Sequence, residues 1–427
     1  MTINMNKIAS IILGGGKGTR LFPLTKTRCK PAISFGGRYR IIDVPISNSL
    51  NSDINKIYVL TQFLSGNLHR HILDTYRFSY PSQGFIELLS AEQKLEKNSW
   101  FKGPADSVRQ NLDYFKETSV DYFLILSGDQ LYNINFQDMV KFAMQKDADL
   151  TIASLPVNSA TATRMGILRI DKEYAITEFK EKPKSKNLLD KLCTKELPLQ
   201  QPIPKDRPYL GSMGIYLFKR NVLFKLLEED KRADFGKHLI PTQIKKGKTF
   251  AFLHQGYWED IGTIESYYHA NLALTAIDPG LNFYDEWNSI YTRYYNLPGP
   301  KITKTKITNS IICEGSVIDA KEVTNSILGT RTIIKKGSVI RNSYVIGNDY
   351  YKHPTGTHHH RSKVGSITIG EHCLMEKTIL DRNVCIGNNV QLVNKNKLEK
   401  YDDGKVSIRD GIIIVTHDSY LPDGYVL

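Results

Sequence analysis

The chain lacks the features that mark several common protein classes. No apolar run approaches the ~18 residues that a membrane-crossing helix requires, so no membrane partner is expected. Lys7 precedes the apolar stretch Ile8–Leu13, but that stretch is too short for the apolar core of a signal peptide, and a cytoplasmic protein is expected. Cysteine is scarce. The five residues (Cys29, Cys193, Cys313, Cys373, Cys385) are scattered and form no Cys-x-x-Cys pair, which argues against a disulfide framework and against a zinc site. The glycine-rich stretch near the start has no Gly-Lys-Ser/Thr after four intervening residues, so it is not a P-loop. Its Gly14-x-Gly16-x-x-Thr19 also lacks the third glycine of the dinucleotide fingerprint. Acidic residues are outnumbered, 44 against 57 basic, for a net charge of +13. That balance suits nucleic acid, a membrane surface or small polyanions. No basic helix or aromatic stacking motif accompanies it, which argues against nucleic acid. The excess is local: residues 301–365 hold 11 Lys/Arg against 4 Asp/Glu.

The opening stretch is the most telling part of what is present. Ile11-Ile12-Leu13 reads as a buried strand, followed by Gly14-Gly15-Gly16-Lys17-Gly18-Thr19-Arg20 and then by Lys30-Pro31. Glycines let a backbone approach a polyphosphate closely and turn N–H groups toward its oxygens. Arg20 and Lys30 would add positive charge where a pyrophosphate departs.

At 427 residues two domains are expected. Residues 1–265 alternate short apolar runs (8–13, 56–60, 121–126, 150–155) with helical patterns, an α/β layout around a mostly parallel mixed sheet. Pro104 opens one predicted helix, with Ala105, Val108, Leu112 and Phe115 on one face. Residues 183–209, with five prolines, read as a surface excursion. Beyond an irregular linker the pattern changes. Ile311, Val317 and Val323 are six apart, as are Ile327, Ile333, Val339 and Val345, and again Leu374, Leu380, Ile386 and Leu392. Hexads with Ile, Val or Leu at one phase predict a parallel β-helix. The expected division is a catalytic domain over 1–270, a linker over 271–305 and a β-helix over 306–427. Residues 348–366 break the period and are expected to form a loop. Their His358-His359-His360 reads as solvated rather than metal-binding, since no carboxylates stand nearby.

Asp129 follows a buried run in Ser127-Gly128-Asp129, and a carboxylate at the carboxyl end of a parallel strand faces the ligand crevice. Asp260 lies in Trp258-Glu259-Asp260-Ile261-Gly262. Two carboxylates plus phosphate oxygens suit Mg²⁺, although either aspartate alone could be a turn or helix cap. Lys182, beside Pro183, could anchor a sugar phosphate, with Glu181 accepting a sugar hydroxyl. Taken alone, that motif could equally be a solvated charge run.

Together these motifs resemble the glucose-1-phosphate adenylyltransferase family, also called ADP-glucose pyrophosphorylase. The likeness runs over nearly the whole chain. It includes Tyr39-Arg40-Ile41-Ile42-Asp43, Ser47-Asn48-Ser49, Ser212-Met213-Gly214, Asp234-Phe235-Gly236-Lys237 and Asp260-Ile261-Gly262-Thr263. The resemblance implies transfer of AMP from ATP to glucose 1-phosphate, with Mg²⁺ held by Asp129 and Asp260. Gly14, Gly15, Gly16, Gly18 and Thr19 would cradle the nucleotide, and Gln93 would read adenine. Arg20 and Lys30 would meet pyrophosphate. Phe101, Gly166, Glu181, Lys182, Ser212 and Asp234 would hold glucose 1-phosphate. It further implies a left-handed β-helix, a homotetramer, and anionic small-molecule effectors near Arg28, Arg40, Arg382 and His417. Pro104, Glu92 and Asn133 depart from the family's usual residues. His417 stands where one branch carries lysine, which implies a weaker, pH-dependent grip on a phosphate.

Overall fold

The computed structural model describes residues 4–78, 84–91, 100–194, 202–351 and 369–427. The first domain is built on a nine-stranded mixed sheet. Ile8–Leu13 lies at its middle, parallel to Lys56–Thr61 on one side and to Tyr122–Ser127 on the other. Five of its six residues are buried, as expected of a central strand covered on both faces. Phe85–Ser90 extends the parallel half. Tyr209–Lys219 joins the other half antiparallel to Tyr122–Ser127, and also pairs with Leu150–Val157 and Gly166–Ile170. The sheet is therefore parallel where the glycine loop leaves it and antiparallel where residues 166–181 fold back.

Two expected elements differ from their sequence reading. The helix opened by Pro104 is two helices, Pro104–Gln110 and Leu112–Glu117, broken at Asn111. The Asn111 side chain donates to the Ser107 carbonyl at 2.8 Å. The apolar face survives the break, since Ala105, Val108, Leu112 and Phe115 are all buried. The supposed surface excursion contains a helix, Lys186–Lys191, and its Leu189, with the following Leu192, packs on Val157, Ala162, Met165, Ile167 and Tyr209. Pro183 and Pro208 flank this small core rather than abolish it.

The second domain consists of short strands stacked in parallel. Ile311 pairs with Ile327, sixteen residues on, and Ile327 pairs with Tyr344, seventeen on. Coils of sixteen or seventeen residues fall short of three strict hexads, so the apolar phase slips by a residue at several turns. The residues that fill the solenoid are Ile318, Val323, Leu328, Ile334, Ile340, Val345, Ile369, Met375, Leu380, Ile386 and Leu392. The sequence reading named Val323, Val345, Leu380, Ile386 and Leu392 correctly. It was one residue early at Ile311, Val317, Ile327, Ile333, Val339 and Leu374. Asn325, Asn342, Asn383 and Asn389 turn the corners at φ of 45–59°, a region asparagine tolerates better than most residues. Most of the expected loop over 348–366, with His358-His359-His360, lies outside the described residues.

The early residue Ile327 is no idle neighbour. With Tyr344, Ile379, Ile412 and Ile414 it faces out of the solenoid and joins the core of the first domain. A hairpin from the first domain, Ser34–Phe35 with Tyr39–Arg40, enters this seam through Gly36 and Gly37. Gly37 has φ +84°, and a Cβ there would come within 2.5 Å of Cys313 Sγ. Only glycine fits that turn. The linker is tied in as well. The buried Asp43 carboxylate accepts from Thr292 Oγ1 (2.7 Å), Tyr76 Oη (2.8 Å), His71 Nε2 (2.6 Å) and the Arg40 N–H (2.8 Å).

Candidate active site

The glycine loop starts where the central strand stops. The Gly14 N–H donates to the Leu60 carbonyl (2.8 Å) and the Gly128 N–H to the Leu13 carbonyl (3.0 Å). A Cβ on Gly128 would stand 3.0 Å from that same Leu13 oxygen, so the two loops approach as closely as backbone permits. Gly18 follows at φ +63° and Thr19–Leu21 forms a short 3₁₀ turn that aims Arg20 outward. A cavity of about 300 Å³ results, lined by Gly14, Gly16, Gly18, Thr19, Arg20, Lys30 and Asp129, together with Lys17 and Gly262.

Its floor is ionic. Lys30, nearly buried, places its ammonium 2.6 Å from Asp129 Oδ2 and 3.4 Å from Asp260 Oδ1. Asp260 is brought there by a two-strand pairing in which it lies opposite Gln130, next to Asp129. The Ser127 hydroxyl donates to Asp129 Oδ1 at 2.5 Å. Burial opposes ionisation of Asp129, but the Lys30 charge and hydrogen bond, Ser127 and Arg20 outweigh it and hold its carboxyl below the usual range. Asp260 shifts the other way: desolvation and the Asp129 charge raise it, against the pull of Lys30 and Arg20.

The sugar-side residues gather around the return strands. Glu181 ends Ile176–Glu181 opposite Gly166, and a Cβ on Gly166 would meet Phe179 Cζ at 2.4 Å and Glu181 Oε2 at 2.9 Å. A Cβ on Gly236 would meet the same oxygen at 2.8 Å. Lys182 follows at φ +48°, its ammonium 3.7 Å from Glu181 Oε1 and more than half exposed. Burial raises the Glu181 carboxyl, with the Asp234 charge adding to it and Lys182 opposing. Ser212 lies buried at a bulge of the Tyr209–Lys219 strand. In that bulge Gly214 faces Gln130 Nε2, 3.3 Å from where its Cβ would stand, so the sugar side adjoins the ionic floor.

Phe101 lies beside Gly15, and Ala105 N donates to the Ala233 carbonyl at 2.9 Å. The 101–105 segment thus spans from the glycine loop to the turn that carries Asp234. Gln93 and Glu92 lie outside the described residues. Three contributors carry no role of their own in the sequence reading. Ser127 fixes Asp129, and it stood in plain view in Ser127-Gly128-Asp129. Gly262 leaves room for Arg20, whose Nη1 stands 3.3 Å from where a Cβ would be. Lys17 stands over the Phe63 ring, which stacks on Trp100. Nothing in the sequence near Lys17 points to Phe63.

The four expected effector residues converge at the seam between the domains. Arg28 pairs with Asp381, both nearly buried. Arg382 donates to Asp349 Oδ1 (2.8 Å) and Ser34 Oγ (2.9 Å). His417 Nδ1 bonds the Arg382 carbonyl at 2.8 Å. Arg40, its guanidinium bonded to the Asn67 carbonyl, is lowered to about 10 by burial and by Arg382. Two of these three arginines therefore already meet a carboxylate.

Residues 9–277 match the nucleotidyl transferase family, and the chain belongs to it. Residues 295–426 match the GLGC left-handed parallel β-helix domain. This pairing is the architecture of glucose-1-phosphate adenylyltransferases, and it makes the protein a sugar-1-phosphate nucleotidyltransferase. No helix among the described residues is long and apolar enough to cross a membrane.

Proposed function

We propose that the protein transfers AMP from ATP to α-D-glucose 1-phosphate, releasing pyrophosphate and yielding ADP-glucose, the activated glucosyl donor for glycogen or starch synthesis. The observation that carries this reading is the cavity in which the glycine loop, Arg20, Lys30 and Asp129 meet, with Asp260 beside Lys30 and with Glu181, Lys182, Ser212 and Asp234 adjoining.

Nucleophile activation is not the difficulty. A phosphate monoester has its second pKa near 6, so the attacking oxygen is already anionic near neutrality. That oxygen forms a bond to the α-phosphorus as the bond to the β-phosphate oxygen breaks, and pyrophosphate leaves with the electron pair. Two polyanions must be brought together and charge on the leaving group neutralised. Arg20 and Lys30 meet the departing pyrophosphate at the cavity, and Lys182 holds the sugar phosphate from the return strands. Glu181 and Asp234 accept from the sugar hydroxyls. No nucleophilic serine or cysteine is called for.

Mg²⁺ belongs to this reading. Asp129 and Asp260 offer hard oxygen donors at the cavity, and the Lys30 ammonium already lies between them, so the donor set attracts a cation. Among the described residues no cluster of three or more His, Cys, Asp or Glu could hold a metal, so phosphate oxygens and water would complete the shell. The ion would neutralise phosphate charge there. Anionic effectors would meet Arg40 at the domain seam, with His417 close by. A homotetramer is included, to be tested by sedimentation.

The deciding experiment is a nucleotide panel with radiolabelled glucose 1-phosphate. ATP should give product, and UTP, dTTP and GTP at least tenfold less. Equal use of another nucleotide would leave the transferase class standing and remove the adenylyl assignment.

A further inference from the structure

A second concave site lies on the far side of the turn that carries Asp234. It has a volume of about 230 Å³ and is lined by Arg232, Lys237, His238, Pro241, Thr242, Lys245 and Lys246. None of these lines the catalytic cavity. The lining holds four permanent cations and, among the described residues, no carboxylate. The volume falls below the ~300 Å³ at which pockets for whole organic ligands begin. It suits a single phosphate group.

The cations are held apart in a way that favours an anion. Arg232 is fixed from behind by Asp230, through Nε at 2.9 Å and Nη2 at 2.5 Å, and Nη2 also donates to Thr242 Oγ1 at 3.0 Å. Its guanidinium is thus oriented before any ligand arrives. Lys246 pairs outward with Glu229 at 3.1 Å. Lys237 and Lys245 have no carboxylate within ion-pair distance among the described residues. His238 Nδ1 is buried with no hydrogen-bond partner, although its own carbonyl accepts from Thr242. His238 itself lines the groove, so its ring reports on what the groove holds.

We propose that this groove is an anion site that takes the phosphate group of a small phosphate-bearing ligand, between Arg232, Lys237 and Lys245, with His238 beneath. The site stands apart from the catalytic assignment, which could fail without touching it. Lys237 also contributes to the field at Glu181. Its N–H is capped by Asp234 Oδ1 at 2.8 Å, so an anion here lies one turn from the sugar-side pocket.

The test uses the whole protein with ring-labelled histidine, the His238 signal assigned by His238→Gln. Inorganic phosphate is titrated at constant ionic strength set with sodium chloride, and glycerol 2-phosphate is titrated in parallel. The His238 signal should shift saturably with both probes. Similar affinities would show that the phosphate group alone is read, and a tenfold preference for the ester would show that its organic part is read too. Lys245→Glu should weaken the response at least tenfold, and Lys245→Gln, which adds no new charge, by a smaller factor. Thermal unfolding of each variant confirms the fold. A His238 signal that stays in place on phosphate addition, that moves equally with chloride, or that responds unchanged in both Lys245 variants overturns the proposal.

Discussion

Lys30 shares one ammonium between two carboxylates, and the sharing is uneven. The shorter contact goes to Asp129, which Ser127 also holds, so Asp129 is the fixed anion of the pair. Asp129→Asn keeps the shape and removes the charge. Turnover should fall at least ~10²-fold, the scale of losing one preorganised electrostatic group, and unchanged turnover at saturating Mg²⁺ would remove Asp129 from the machinery. Lys182 is mostly exposed in the free protein, and in the proposed reaction a bound sugar phosphate would desolvate it. Lys182→Ala should raise the apparent constant for glucose 1-phosphate by roughly 30- to 700-fold, corresponding to about 2–4 kcal/mol. The constant for ATP should hardly move, and a shift there instead would reassign the residue. Asp43 does not line the catalytic cavity and tests stability. Burial opposes its charge, but His71 and the hydrogen bonds from Thr292 and Arg40 overcome it and depress its pKa. A depressed folded value stabilises above the ordinary carboxylate pKa and loses that contribution as pH falls through the folded one. Asp43→Asn should therefore cost about 1–3 kcal/mol at pH 7. Denaturant melts should show that gap narrowing below about pH 4. Residues of this kind were partly legible. The acids, cations and glycines of the site sit in compact motifs, whereas Gly262 and Lys17 act only through Arg20 and Phe63, neighbours that folding brings to them.

At the scale of elements, the antiparallel pairing of residues 166–181 builds the sugar pocket by leaving space at Gly166. Gly166→Ala would drive a methyl into Phe179 and the Glu181 carboxylate. Phe179 and the strand end must shift, so the apparent constant for glucose 1-phosphate should rise at least tenfold with that for ATP little changed. Equal losses for both substrates would place the damage in the sheet instead. Strand positions were readable because central strands are continuous apolar runs. The solenoid was readable as a period. Its phase was not, because a strict six-residue count cannot register coils of sixteen or seventeen residues. The break at Asn111 was hidden too: the apolar spacing runs through it unaltered, and only the backbone bends.

For the molecule as a whole, Ile327, Tyr344, Ile379, Ile412 and Ile414 belong to the same core as the first domain's Ile33, Phe35 and Tyr267. The solenoid carries apolar residues both inside and on one outer face. A hexad reading expects only the inner set, which is why the outer one went unrecognised. Ile379→Ala removes a fully buried side chain from this shared core and should cost about 2–5 kcal/mol. Calorimetry and near-ultraviolet dichroism should report one transition moved to lower temperature. Two separate transitions, with only the solenoid's displaced, would show that the domains melt independently.

Gly37 sets a limit on how such a chain can change over generations. A side chain there strikes Cys313 and Ile327, which lie some three hundred residues further along. A lineage cannot exchange its solenoid for that of a distant cousin as if it were a cassette, because the hairpin tip and its socket are inherited as one fitted piece. Substitutions on either side of the seam must arrive in step, so the two halves of the gene are bound to a common history although their sequences look like separate modules.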